Sequence, residues 1–256
     1  MYEEFKGILL KAGELMLSMA NAAVHDKGGH ANFVTDADTA VQSYLMEEFG
    51  KRLPGAVFFA EEKEENHLGP EYTFIIDPID GTTNFFHHCR SSAISVGLLH
   101  KGEPVLGMVL NPYTNELFHA EKGKGAFCND APIHVSERKF SLGLVNMGAS
   151  PYYPEAAEKT MRAGKLFLAR CCDLRRSGSA ALDLCSVAAG RTEMFYEFRL
   201  SPWDYAAATF IIREAGGDFG SFDGETFTYE HAIPLWASSA VCRDEFVQSL
   251  DEVCRE

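Results

Sequence analysis

Asp77 and Asp80 stand three residues apart at the end of an apolar run, in Phe74-Ile75-Ile76-Asp77-Pro78-Ile79-Asp80-Gly81-Thr82-Thr83-Asn84. A strand that delivers two carboxylates to one point brings like charges together, and they repel unless a hard cation lies between them. Asp, Glu and backbone carbonyl make an all-oxygen donor set, which suits magnesium rather than zinc. Gly81 lets the backbone come close to a ligand, and a helix beginning near Thr82 would point free N–H groups at a phosphate. The plainer reading makes both acids turn and N-cap residues, a common use of Asp beside Pro and Gly.

Further acids bear on that choice. Glu61-Glu62 follow Val57-Phe58-Phe59 and put carboxylates at another strand end, although with Glu64 and Glu65 they also read as a solvated run. Asp204 falls in the first turn of a helix opening at Pro202, and Asp38 near the start of a helix after Thr35. A helix dipole alone favours an acid at either place, so each taken singly reads as structural. His87 and His88 suggest a transition metal, but magnesium does not favour imidazole and the nine histidines show no His-x-x-x-His spacing. They read as structural or supporting residues.

The elements that must position these acids follow from periodicity. Phe5, Ile8, Leu9, Ala12, Leu15, Met16 and Met19 recur at helical spacing and predict an amphipathic helix from Tyr2 to about Ala23. A second helix follows Thr35 and stops before Pro54-Gly55. Strands are expected at Ala56 to Ala60 and Thr73 to Ile76, the latter ending at Asp77-Pro78. Ala93 to Leu99, Pro104 to Leu110 and Glu116 to Ala120, punctuated by turn residues, predict an antiparallel meander. Beyond residue 136 the pattern changes to helices over about 154–168 and Ser179 to Ala189, with strands near Leu144 and from Glu193 to Glu197. The Pro202 helix ends at Gly216-Gly217.

With 256 residues, 46% hydrophobic and 23% charged, the chain can bury one sizeable core or two closely packed ones. A net charge of −14, relieved locally only by Arg175-Arg176, argues against nucleic acid as a ligand and fits carboxylates gathered around cations. Arg175-Arg176 reads as a contact for an anionic substrate, a subunit contact or a solvated face. The start Met1-Tyr2-Glu3-Glu4 is not that of a secretory signal, and no apolar stretch approaches the ~18 residues of a membrane span. A soluble cytoplasmic protein that does not bind membranes is the expectation. Seven cysteines without CxxC spacing are expected to be reduced, with Cys171-Cys172 placed inside the fold.

Val34-Thr35-x-x-Asp38, Glu61-Glu62, Asp77-Pro-Ile-Asp80-Gly-Thr-Thr-Asn-Phe85-x-His87, Trp203-Asp204-x-Ala-Ala and Glu214-Ala-Gly-Gly217 resemble, in order and spacing, the inositol monophosphatase family. The likeness runs from about Phe5 to the last helix. It implies a mixed α+β fold, a layered αβαβα sandwich of the inositol monophosphatase and fructose-1,6-bisphosphatase type. One domain spans residues 1–256 on this reading, with subdomains of about 1–135 and 136–256. Two or three Mg2+ ions are implied, with Glu61, Asp77 and the Ile79 carbonyl at the first and Asp77, Asp80 and Asp204 at the second. Thr82 with Asp38, supported by Glu61, would orient the attacking water. Gly81 and Thr82 amides would receive phosphate oxygens, and Glu197 with the Gly178-Ser179-Ala180 turn would face the substrate.

The implied activity is hydrolysis of a small phosphate monoester, foremost inositol monophosphate, by in-line attack of metal-activated water without a covalent intermediate. Lithium inhibition and a homodimer are further implications. Ala60 where the family usually has Gly, Asn32 in place of an acid, and His88-Cys89-Arg90-Ser91 depart from the pattern; the Arg90 region and Ser201-Pro202 border the expected substrate pocket. Alternatives are fructose 1,6-bisphosphate, 3′-phosphoadenosine 5′-phosphate or NADP as substrate, and a non-catalytic partner-binding role. A nucleophilic-aspartate phosphatase is disfavoured because two residues, not one, separate Asp77 from Asp80.

Overall fold

The computed structural model describes residues 1–28, 32–151, 153–222 and 225–255. Helix α1 (Tyr2–Ser18) buries Phe5, Ile8, Leu9, Ala12 and Met16, the stripe that the periodicity dictates. It ends earlier than expected: Met19 N donates to Met16 O and Ala20 N to Leu17 O, bonds that tighten the last turn. The chain then leaves as β1 (Val24–Asp26), which pairs antiparallel with β2 (Phe33–Thr35) before α2 (Asp36–Arg52).

A seven-stranded sheet follows, built from β3 (Val57–Ala60), β4 (Tyr72–Asp80), β5 (Ala93–His100), β6 (Glu103–Asn111), β7 (Glu116–Glu121), β8 (Ala126–Cys128) and β9 (Ala131–Ile133), with the short α3 (Thr82–Phe86) between β4 and β5. Only β3 and β4 run parallel; β5 to β7 are the expected meander, which β8 and β9 extend beyond the strands expected. β4 does not stop at Asp77-Pro78 as its sequence suggests, but continues through a bulge to Asp80.

The second half supplies β10 (Leu144–Met147), α4 (Pro154–Leu168), β11 (Asp173–Arg175), α5 (Ala180–Ala188), β12 (Met194–Leu200), α6 (Pro202–Glu214), β13 (Asp218–Ser221), β14 (Ile233–Ser238) and α7 (Arg243–Arg255). Its five strands form a separate sheet in the order β11-β10-β12-β14-β13. Cys172 turns out exposed, because it lies in the turn leaving α4, with its backbone N–H on Gly143 O.

Packing stacks these parts in five layers. α1 and α2 cover one face of the larger sheet, where Phe49 stacks on Phe74 at 4.7 Å and Phe5 meets both edge-on. α5 and α6 fill the space between the sheets, and α4 and α7 cover the outer face of the smaller one. α6 lies unusually close to β5 and β6: a Cβ on Gly107 would stand 2.5 Å from Ala207 O, and one on Gly97 3.3 Å from Ala206 Cβ. Glycine on the sheet and alanine on the helix permit that approach, and it carries the first turn of α6 to the end of β4. Among the described residues, no helix is long and apolar enough to cross a membrane.

Candidate active site

In a regular strand, residues three apart face opposite sides. In β4, Asp77 pairs with Ser95 and Asp80 with Ala93, so three steps on β4 match two on β5. That extra residue is a β-bulge at Pro78-Ile79, and it turns both carboxylates to one side. Pro78 suits the position because it has no N–H to give to a ladder. Asp204, brought in by α6, completes a cluster in which carboxylate oxygens of Asp77, Asp80 and Asp204 lie within 4.8 Å of one another.

Asp38 and Asp204 each do the structural work their sequence position suggests and keep an oxygen for the site. Asp38 Oδ2 accepts from Thr35 N at 2.8 Å and Thr35 Oγ1 at 2.6 Å, closing the capping box of α2. Its Oδ1 faces Thr82 Oγ1 at 3.2 Å; that hydroxyl also lies 3.1 Å from Ile79 O. Asp204 Oδ2 likewise accepts from Ser201 N at 2.8 Å at the start of α6. Glu61 sits at the exit of β3 with its N–H on Ile76 O, outside the three-acid cluster, and its carboxylate pairs with Lys27 Nζ at 3.1 Å.

Gly81 takes φ +85° and leads directly into α3. A side chain there would strike Gly178 O at 3.0 Å, so the expected substrate-side turn backs onto the expected phosphate-side turn. The Ser179 hydroxyl and the Ala180 amide both donate to Asp80. The Ser179 hydroxyl donates to its Oδ2, Ala180 N to Oδ1 at 3.2 Å and Ala181 N to Oδ2 at 2.8 Å. Asp80 thus sits against the N-terminus of α5. Glu197, at a second bulge in β12, accepts from Ser150 N and Oγ, both at 2.9 Å. His87 and His88 are exposed, outside the acid cluster.

Crowding of buried acids sets the electrostatics. Burial first, then the charges of Glu61, Asp80 and Asp204, hold Asp77 well above the usual carboxylate range; burial with Asp80 and Glu61 does the same to Asp204. Burial raises Asp80 to about 6 against its three hydrogen bonds, and Glu61 to about 7 against Lys27. Asp38 is raised by burial, and Glu197 is lifted by burial to about 7. Hard-oxygen donors this close and this reluctant to ionise fit a divalent cation that would restore their charge.

Four residues escape the sequence reading. Lys27, Ser150 and Asp183 meet the site only through folding. Asn84 stands inside the quoted motif without a role, yet its Nδ2 donates to Ser91 O at 2.6 Å and Ser177 O at 2.9 Å and clamps the two turns together. Asn following Gly-Thr-Thr was the one available signal, since Asn favours such backbone bonds.

The sequence profile described as the inositol monophosphatase family matches residues 1–254. The inositol-1-monophosphatase of Rhizobium meliloti is 39% identical over 228 residues, covering 88% of this chain and 84% of that one. The Nus factor SuhB of Escherichia coli is 36% identical over 220 residues, covering 84% and 82%. The crystal structure of the extragenic suppressor protein suhB from Bartonella henselae superposes with a TM-score of 0.90 at 34% identity, covering 98% of each chain.

Proposed function

Since the chain belongs to the inositol monophosphatase family, we propose that it hydrolyses a small phosphate monoester, foremost inositol monophosphate, with Mg2+ as cofactor. The carrying observation is the cluster of buried Asp77 and Asp80 with half-buried Asp204 beside the Thr82–Asp38 pair. Glu61, Asp77, the Ile79 carbonyl, Asp80 and Asp204 would hold the metal. Bound there, magnesium supplies positive charge to the phosphoryl oxygens and makes water more acidic.

The chain's own groups do the positioning. Thr82 Oγ1, donating to Asp38 Oδ1, keeps lone pairs free to accept from the attacking water; as the water loses its proton, Asp38 is the acceptor at the end of that line. Gly81 and Thr82 amides, at the start of α3, receive phosphate oxygens. Glu197, its carboxylate fixed by Ser150, accepts from substrate hydroxyls. The Gly178-Ser179-Ala180 turn holds Asp80 and closes the site from the α5 side.

The test is inorganic phosphate released from inositol 1-phosphate, glycerol 2-phosphate, fructose 1,6-bisphosphate, 3′-phosphoadenosine 5′-phosphate and NADP, with Mg2+ or EDTA, and with Asp77→Asn as control. Magnesium-dependent release that the variant loses supports the proposal; no release from any of them removes it. The likeness to a protein named Nus factor favours a second reading, docking on a partner, which Asp77→Asn would leave intact.

A further inference from the structure

Asp183 is a buried carboxylate, 5% exposed, that no step above uses. It lies one residue beyond the position from which an acid closes a capping box on its own helix, since α5 has Ser179 as its N-cap. Its Oδ2 instead accepts from Ser177 N at 3.3 Å, across the turn that precedes the helix.

We infer that Asp183 is a positioning residue, which fixes through Ser177 the turn that backs Gly81 and holds Asp80. Every polar group of Ser177 is engaged. Its N–H goes to Asp183, its carbonyl accepts from Asn84 Nδ2 at 2.9 Å, and its hydroxyl donates to Ser179 O and accepts from Ser179 N, both at 3.1 Å. Gly178 takes φ +87°, which a glycine adopts about as readily as its other conformations, so bonds on its neighbours are what select one position for the turn. The next residue, Ser179, donates to Asp80. Asp183 is itself anchored, because its carbonyl accepts from Asn146 Nδ2 at 2.9 Å on β10. A line of bonds therefore runs from the smaller sheet to a carboxylate of the acid cluster.

The inference rests on the proposed metal role of Asp80, and the test separates the two. Magnesium binding is measured by calorimetry without substrate, and KM and kcat by phosphate release, for wild type, Asp183→Asn, Asp183→Ala and Asp183→Leu, with folding checked by circular dichroism. Loss of a group that orients a metal ligand weakens binding by about 10-fold or more, so Asp183→Ala should raise the magnesium Kd by about that factor and KM with it, more than it lowers kcat. Asp183→Asn keeps an acceptor oxygen and should stay within roughly 3-fold of wild type. Unchanged magnesium binding in a folded Asp183→Ala, or Asn as damaging as Ala, overturns the inference. Should Asp183→Ala fail to fold, Asp183→Leu, which keeps the branched shape but offers no acceptor to Ser177 N, carries the test, with the same rise expected and unchanged binding overturning it. A wild type that binds magnesium but releases no phosphate sinks only the functional proposal; one that binds no magnesium sinks both.

Discussion

Asp77 and Asp80 are held on one side of β4 by a one-residue bulge, yet only Asp80 is tied to another element, through donors from Ser179, Ala180 and Ala181. The first acid is crowded and the second is anchored. Burial and four neighbouring negative charges disfavour the ionised form of Asp77, whereas both oxygens of Asp80 accept bonds at the start of α5.

Replacement by Asn should therefore separate them. Asp77→Asn keeps an oxygen for Ile79 N and removes an opposed charge, so the metal-free protein should melt at the same temperature or higher. Asp80→Asn sets an NH2 against backbone donors and should cost ~1–3 kcal/mol, or several degrees of Tm at ~2–4 °C per kcal/mol. Both should lose magnesium-dependent turnover. Thermal melts in EDTA beside phosphate assays decide it; equal melting temperatures would deny Asp80 its anchoring role.

Thr82→Ala should lower kcat by about 10²-fold or more with little change in KM, because in the proposed mechanism the hydroxyl acts on the reacting water and not on the bound substrate. Thr82→Ser should recover most of that loss, since it preserves the bond to Asp38 Oδ1. A Thr82→Ala enzyme as fast as wild type would remove Thr82 from the mechanism.

The strand and helix ends that carry Asp77, Asp80, Asp38 and Asp204 were legible from punctuation that sequence displays, Pro78 and Gly81, Thr35 and Pro202, whereas their sharing of one site was implied only by the family resemblance. The helix over 154–168 and the meander were legible from periodicity in the same way. The bulge was not. β4 is buried on both faces, so it shows no alternation from which a one-residue shift could be read. The β1–β2 hairpin escaped because Val24–Asp26 is three exposed residues, too short for a pattern. Ser150 and Lys27 escaped for another reason: they meet Glu197 and Glu61 across 47 and 34 positions, and local spacing carries no trace of such a meeting.

Gly148 is required by Glu197, for a Cβ there would stand 1.7 Å from Glu197 Oε2. Gly148→Ala should push the carboxylate aside and raise KM for a polyol phosphate by about 10-fold, the scale of one lost charged hydrogen bond. An aryl phosphate without hydroxyls should notice little. Equal effects on both substrates would mean that Glu197 does not read hydroxyl groups.

Stability should respond to pH in opposite senses with and without metal. Glu61, Glu197 and Asp183 are raised to about 7 and Asp80 to about 6, while unfolded carboxylates titrate near ~4. The folded protein therefore binds protons more tightly than the unfolded chain, and the stability this confers is complete below the unfolded values. It is lost as pH rises through 6 to 7, where the unfolded chain is already ionised and the folded one must follow. In EDTA, Tm should fall between about pH 4 and pH 7, since each raised acid contributes a slope of up to about 1.4 kcal/mol per pH unit. Magnesium favours the ionised carboxylates, so its stabilisation should be largest at the alkaline end and should flatten or reverse the slope. Melting curves across that range, with EDTA and with Mg2+, measure both; a Tm in EDTA that stays level or rises with pH would show that the acids are already ionised in the metal-free fold.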